Sequence, residues 1–372
     1  MVRTRARQWA TQVGHRARQA RSTVAAPLRQ LSRRLGQGAP VRLRLPGTPG
    51  VGPTRLARNG SVAIAYDVRG RGSPLVLIQG VGVGRWGWEP VAGRLARHFQ
   101  VITIDNRGIG ASDTPPGHYA TRMMADDVLA VLDHAGIRQA SLVGTSLGGM
   151  IAQELALAHP ERVDKLVLVA TIPGGPRSRP MPMGTTYLLA AAPFMTSKAK
   201  LREFVQTTLG PTTLRRRPRV ARRLVARKLA HPQPESAWRA QTAAGMLFNP
   251  LGRQRRITQP TLIVQGTADQ VVAPGNADVL AGLLPNARVQ RFKGAGHLLY
   301  WEQPKRFVRI VTDFLTDPAT AARVPATRRA SSKGRTSECP LVGVLVECGV
   351  VGAWWCAIWV RGGADQGRAG KR

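Results

Sequence analysis

Residues 141–150 read Ser-Leu-Val-Gly-Thr-Ser-Leu-Gly-Gly-Met, and inside them Gly144-Thr145-Ser146-Leu147-Gly148 is a G-x-S-x-G. An apolar run, Ala140 to Val143, leads into it; a helical pattern of Met150, Ile151, Leu155 and Leu157 leads out. A strand that turns tightly into a helix lifts the serine hydroxyl above the end of a sheet. Such a turn is strained, and glycines at 144 and 148 relieve crowding where strand and helix pass. The helix N-terminus also directs backbone N–H groups at an oxygen held beside the serine. Five letters alone are a short pattern. The strand before them and the helix behind them make Ser146 a candidate nucleophile.

The rest of the chain alternates in the same way. Ser61 to Asp67 has the pattern of an edge strand. Leu75 to Ile78 and Val101 to Ile104 are continuous apolar runs that suit buried parallel strands. Lys165 to Ala170, Pro260 to Val264 and Ala287 to Arg291 extend the series. Between them Trp88 to His98, Asp126 to Ala135 and Gln303 to Leu315 carry helical spacing. This order predicts an α/β fold, a mostly parallel sheet with helices on both faces. Residues 174–256 interrupt it with helical stretches and no strong strand. On the helix 218–230, Val220, Ala221, Leu224, Val225 and Leu229 share one half, and Lys228 falls inside that apolar arc and is expected to snorkel out. An insertion at this point in the order is expected to lie over the site as a lid. Met181, Met183, Tyr187, Leu188, Phe194 and Met246 either line its cavity or fill a helical core.

A serine hydroxyl needs a base, and the base needs a carboxylate that holds its tautomer. Of seven histidines, His15 lies in a basic arm, and His98, His134 and His159 end helices, where a histidine complements the dipole. His118 and His231 lie in polar stretches with Pro or Gly. Only His297, in Gly294-Ala-Gly-His297, follows the last predicted strand in a loop supple enough to turn back over the sheet. The strand ending near Val264 runs into Gly266-Thr-Ala-Asp269, and Asp269 is the carboxylate in position; Asp278 falls in the following helix. For the oxyanion, Leu147 supplies one backbone N–H, and the loop Gln79-Gly80-Val81-Gly82-Val83-Gly84 supplies a second, assigned to Val81.

Four motifs now stand together: Leu77-Ile-Gln-Gly80, Asp105-Asn-Arg-Gly-Ile-Gly-Ala-Ser112, Gly144-Thr-Ser-Leu-Gly-Gly149, and Gly266-Thr-Ala-Asp269 with Gly294-Ala-Gly-His297. Over about residues 59–317 the chain resembles the α/β-hydrolase superfamily, and a serine esterase or lipase within it. The resemblance implies an eight-stranded sheet with a helical cap, Ser146 as nucleophile, His297 as base and Asp269 as orienting acid. It implies no metal and no organic cofactor. Gln79 departs from the pattern, standing where such sequences usually have histidine. The resemblance points to cleavage of a hydrophobic acyl ester or lipid through an acyl-enzyme. C–C bond hydrolases and cofactor-free haloperoxidase-like enzymes use the same three residues, and a hydrolase-like protein that only binds an apolar ligand is a further alternative.

Composition bears on location. The net charge is +35 over 372 residues. Residues 1–58 hold thirteen arginines and no acid, and read as a disordered basic arm or a membrane-surface arm. No apolar stretch there is long enough for a secretory signal, so a cytoplasmic protein is expected. The basic surface suits anionic lipid; nucleic acid fits less well, because no DNA- or RNA-binding motif accompanies the charge. In the extension 318–372, Leu341 to Val360 is an apolar stretch with the length of a bilayer span, interrupted by Glu347 and glycines. Cys339, Cys348 and Cys356 all fall there, with neither disulfide nor zinc spacing. Nothing in the pattern fixes an oligomeric state.

Overall fold

The computed structural model describes residues 53–186 and 198–318. The arm before residue 53, the segment 341–360, all three cysteines, and Tyr187, Leu188 and Phe194 lie outside the described residues. Eight strands form one sheet: β1 (Arg55–Asn59), β2 (Val62–Arg69), β3 (Pro74–Ile78), β4 (Gln100–Ile104), β5 (Ala140–Thr145), β6 (Val163–Val169), β7 (Thr261–Gly266) and β8 (Ala287–Phe292). Their order is β1-β2-β4-β3-β5-β6-β7-β8. β2 runs antiparallel to both neighbours, and every other pairing is parallel. The expectation of a mostly parallel α/β sheet with helices on both faces is met.

Two details differ. The sheet begins at Arg55, inside the stretch read as the arm, because Leu56 and Ala57 pair with Ala65 and Ile64. That pairing makes β1 the edge strand and puts β2 inside the sheet. The helix expected over Trp88 to His98 is split into a 3-10 turn, Arg85–Trp88, and a short helix α1 (Ala92–Leu95). Pro90 lies between them and supplies no N–H to carry one helix through.

The continuous apolar strands bury both of their faces. Val76, Ile78, Ile102, Leu142 and Leu168 point to one side, where α2 (Thr121–His134) and α3 (Leu147–Ala158) pack. Leu75, Leu77, Val101, Val143 and Val169 point to the other, onto the last helix of the domain. Each such side chain contributes about 1.5–3 kcal/mol by leaving water. The insertion contains α4 (Lys198–Thr207), α5 (Pro211–Arg216), α6 (Pro218–Ala230) and α7 (Glu235–Met246). After it come α8 (Asn276–Leu283), α9 (Leu299–Glu302) and α10 (Pro304–Thr316), which buries Phe307, Val311, Phe314 and Leu315 at helical spacing.

β3 is the hinge of this topology. β4 pairs on one side of it and β5 on the other, so the winding reverses there. Open α/β sheets bind ligands at such a reversal, beyond the strand C-termini. The crossing is tight: a Cβ on Gly148 would lie 2.2 Å from the Ile78 carbonyl oxygen, and one on Gly144 would lie 2.3 Å from that of Gly148. Gly148→Ala therefore forces β3 and α3 apart. We expect a loss of about 1–3 kcal/mol, read as a lower urea midpoint; an unchanged midpoint contradicts the close packing.

Candidate active site

Ser146 joins β5 to α3 with φ 53° and ψ −120°, a conformation rare for a residue with a side chain. Holding it costs about 1–3 kcal/mol. Its surroundings impose it. The Ser146 N–H donates to the Val169 carbonyl at 2.9 Å, and the Thr171 hydroxyl donates to the Ser146 carbonyl at 2.7 Å. The backbone is thus clamped from β6, and the side chain borders a cavity of about 280 Å³. Leu147 opens α3, at a position where helical N–H groups have no intrahelical partner. Val81 borders the same cavity from the loop after β3. That loop passes close to the serine: a Cβ on Gly80 would lie 3.5 Å from Ser146 Oγ.

Asp269 and His297 meet at the ends of the neighbouring strands. His297 Nδ1 lies 3.0 Å from Asp269 Oδ2, and both residues are buried. Asp269 is itself held: Oδ1 accepts the backbone N–H groups of Val271 at 2.8 Å and Val272 at 2.9 Å, and Oδ2 accepts Gln265 Nε2 at 3.0 Å. An aspartate with these donors accepts from Nδ1–H and so leaves Nε2 as the basic nitrogen. His297 borders the cavity together with Ser146. Asp278 lies in α8, as expected, and pairs outward with Arg291 at 2.5 Å.

Several supporting groups have no sequence pattern of their own. Glu302, buried in α9, accepts the backbone N–H of Gly296 at 2.6 Å and that of Gly210 at 3.1 Å, tying the histidine loop to the insertion. An acid standing alone among Leu, Tyr and Trp was the one available signal. Gln241 of α7 accepts the Gly82 N–H at 3.1 Å and donates to the Arg107 carbonyl at 2.8 Å. Gln79 is fully buried; its Oε1 accepts the Tyr300 hydroxyl at 3.1 Å, and its carbonyl accepts Asn106 Nδ2 at 2.9 Å. Burial pushes the Tyr300 phenol well above its ordinary pKa, which keeps it a donor. Gln79 Nε2, by contrast, is buried with no partner among the described residues.

Beneath the loop, Asp105 accepts the Arg85 N–H at 2.7 Å, Arg85 Nε at 2.9 Å and the Ala111 N–H at 3.0 Å. It thereby joins the two loops that follow β3 and β4. The insertion is fastened above by Glu89, which Arg223 and Arg227 of α6 both contact. Burial works to raise the Glu89 carboxyl, but those two arginines outweigh it and hold the pKa below its usual value.

The wall of the cavity is largely apolar. Met181 and Met246 border it, whereas Met183 is 84% exposed and does not. Leu229 of α6, expected on the buried face, is 47% exposed, and Lys228 takes its place facing inward. Lys228, expected to snorkel to solvent, is half-buried and borders the cavity. Aromatic faces of Phe204 and Trp238 receive its ammonium at 5.4 and 5.3 Å. Removing Asp105 leaves the Arg85 guanidinium to Asp67 alone and the backbone N–H groups of Arg85 and Ala111 without their acceptor, so Asp105→Ala should cost about 1–3 kcal/mol. Urea denaturation checks this, and a loss below about 1 kcal/mol contradicts the junction described.

Comparison with known proteins agrees with this fold. A family model for the alpha/beta hydrolase fold matches residues 73–304. A Mycobacterium tuberculosis protein provisionally named as a non-heme bromoperoxidase is 32% identical over 262 residues, covering 66% of this chain and 94% of its own. A 2-hydroxymuconate semialdehyde hydrolase from Pseudomonas sp. strain CF600 is 31% identical over 266 residues, covering 68% of this chain and 90% of its own. Among solved structures, an esterase from Rhodococcus sp. ECU1013 superposes with a TM-score of 0.63 at 28% identity, covering 71% of this chain and 98% of its own. With its reversed sheet, its serine turn and a match over most of the described residues, the chain belongs to the alpha/beta hydrolase fold family.

Proposed function

We propose that this hydrolase cleaves a carboxylic ester of a largely apolar substrate, with Ser146, His297 and Asp269 as its catalytic triad. The observation that carries the reading is the pairing of His297 Nδ1 with a fully donated Asp269, beside a strained serine on the same cavity wall. Ser146 Oγ attacks the ester carbonyl as His297 Nε2 takes its proton. The backbone N–H groups of Leu147 and Val81 receive the oxygen that becomes negative. His297 then returns the proton to the leaving alcohol, and the acyl group remains on Ser146. A water molecule, deprotonated by the same nitrogen, releases the acid and restores the serine. Asp269 stays ionised and steadies the imidazolium that forms in each half.

The apolar wall supports a hydrophobic acyl or alcohol portion, and the likeness to an esterase supports ester chemistry. A second reading is cleavage of a C–C bond beside a carbonyl. The likeness to a 2-hydroxymuconate semialdehyde hydrolase favours it, and the same serine and histidine would serve. Turnover of a vinylogous diketone set against that of acyl esters separates the two.

Rates on p-nitrophenyl esters test the triad. Ser146→Ala should lower kcat by about 10³-fold or more. Asp269→Asn should lower it by about 10³–10⁴-fold by releasing the wrong imidazole tautomer, with the melting temperature little changed. A Ser146→Ala protein that keeps the parent rate excludes the reading.

A further inference from the structure

Lys228 is a charged side chain whose position the ester reaction does not explain. It projects from α6 into the cavity that Ser146 and His297 border. Its Nζ donates to the Gly82 carbonyl at 3.2 Å, in the loop that also carries Val81. An ammonium has three N–H donors. Among the described residues, that one hydrogen bond is the only one it makes, and no carboxylate lies within ion-pair distance of it. What surrounds it otherwise is aromatic: the faces of Phe204 and Trp238 at 5.4 and 5.3 Å. A ring face moderates a cation's loss of water but does not neutralise it.

The rest of the cavity points the same way. Among the described residues no aspartate or glutamate borders it, whereas Arg179 does, exposed at the rim. Asp269 lies behind His297 and is fully engaged there. Lys228 is half-buried with no carboxylate partner among the described residues, and burial draws its pKa down to about 8. A compact anion brought in by a ligand would supply the missing acceptor, using the two donors that remain. Gly82 lies two residues beyond Gly80, a span of at most about 7.6 Å between Cα atoms, so such an anion would share one cavity and one loop with the scissile carbonyl.

We propose that Lys228 makes this cavity selective for esters that carry a second, anionic group, a carboxylate held under the insertion by the Lys228 ammonium between Phe204 and Trp238. The inference rests on the ester reading for the bond cleaved, and on geometry alone for the anion. It names the substrate class as hemi-esters of short dicarboxylic acids or their equivalents. It also explains why a helix that is otherwise apolar on its inner half keeps a lysine there.

Binding to the Ser146→Ala protein isolates the anion site from catalysis. Calorimetry with monomethyl adipate and with methyl hexanoate compares a charged and a neutral ester of similar length. The charged ester should bind at least about tenfold more tightly, as a charge-assisted hydrogen bond provides. In Ser146→Ala/Lys228→Met the preference should disappear, in Ser146→Ala/Lys228→Arg a large part should return, and in Ser146→Ala/Arg179→Gln it should persist. If Lys228 only straps the insertion to the Gly82 loop, both esters weaken together and their ratio holds; that result overturns the proposal, as does an equal affinity at the outset. Loss of the preference on Arg179→Gln but not on Lys228→Met also overturns it. The same ratio read as kcat/KM on p-nitrophenyl adipate and p-nitrophenyl hexanoate should fall about tenfold or more in Lys228→Met. A protein that binds the charged ester selectively yet hydrolyses neither would refute the ester reading while leaving the anion site standing.

Discussion

Everything at this site depends on how closely α3 passes beneath the end of β3. With no side chain at Gly148, the helix N-terminus approaches the Ile78 carbonyl to a distance that any Cβ would forbid. That approach places the loop after β3 beside the serine, and it forces the Ser146 backbone to φ 53°. The strain is offset elsewhere, by bonds to Val169 and Thr171 and by an apolar core on both sides of the sheet. A relaxed turn would be cheaper, but it would not present the hydroxyl and the first helical N–H groups to one cavity.

Around this crossing, buried polar ties hold loops that have little packing of their own. Asp105 joins the loops after β3 and β4. Glu302 joins the histidine loop to the insertion, and Gln241 joins the insertion to the loop after β3. Each tie uses backbone N–H groups that would otherwise be buried without acceptors, which is expensive. The insertion is therefore part of the site's architecture as well as its roof. Its helices set the cavity wall, and with Lys228 they set its charge.

Much of the fold was legible in the sequence because parallel buried strands leave continuous apolar runs, as at Leu75 to Ile78 and Val101 to Ile104. The glycine pattern around Ser146 was legible because only steric demand explains it. Asp269 and His297 could be picked out because both follow predicted strands, and the structure puts them 3.0 Å apart. Tertiary contacts were less visible. Glu302 and Gln241 act through partners 92 and 159 residues away, and no local pattern encodes such a reach. Lys228 was misplaced for the same reason: a helical wheel shows which residues share a face, but not that Phe204 and Trp238 make that face hospitable to a cation. β1 escaped notice because a short strand with two arginines reads like the basic stretch before it.

The central claim is that Ser146 carries the acyl group between two half-reactions. Mixing the protein with an activated ester that deacylates slowly, quenching in acid and digesting for mass spectrometry tests it directly. The expected result is one acyl mass on the peptide containing Ser146, accumulating in step with the first alcohol released. Ester turnover with no adduct, or an adduct on a different residue, would contradict it.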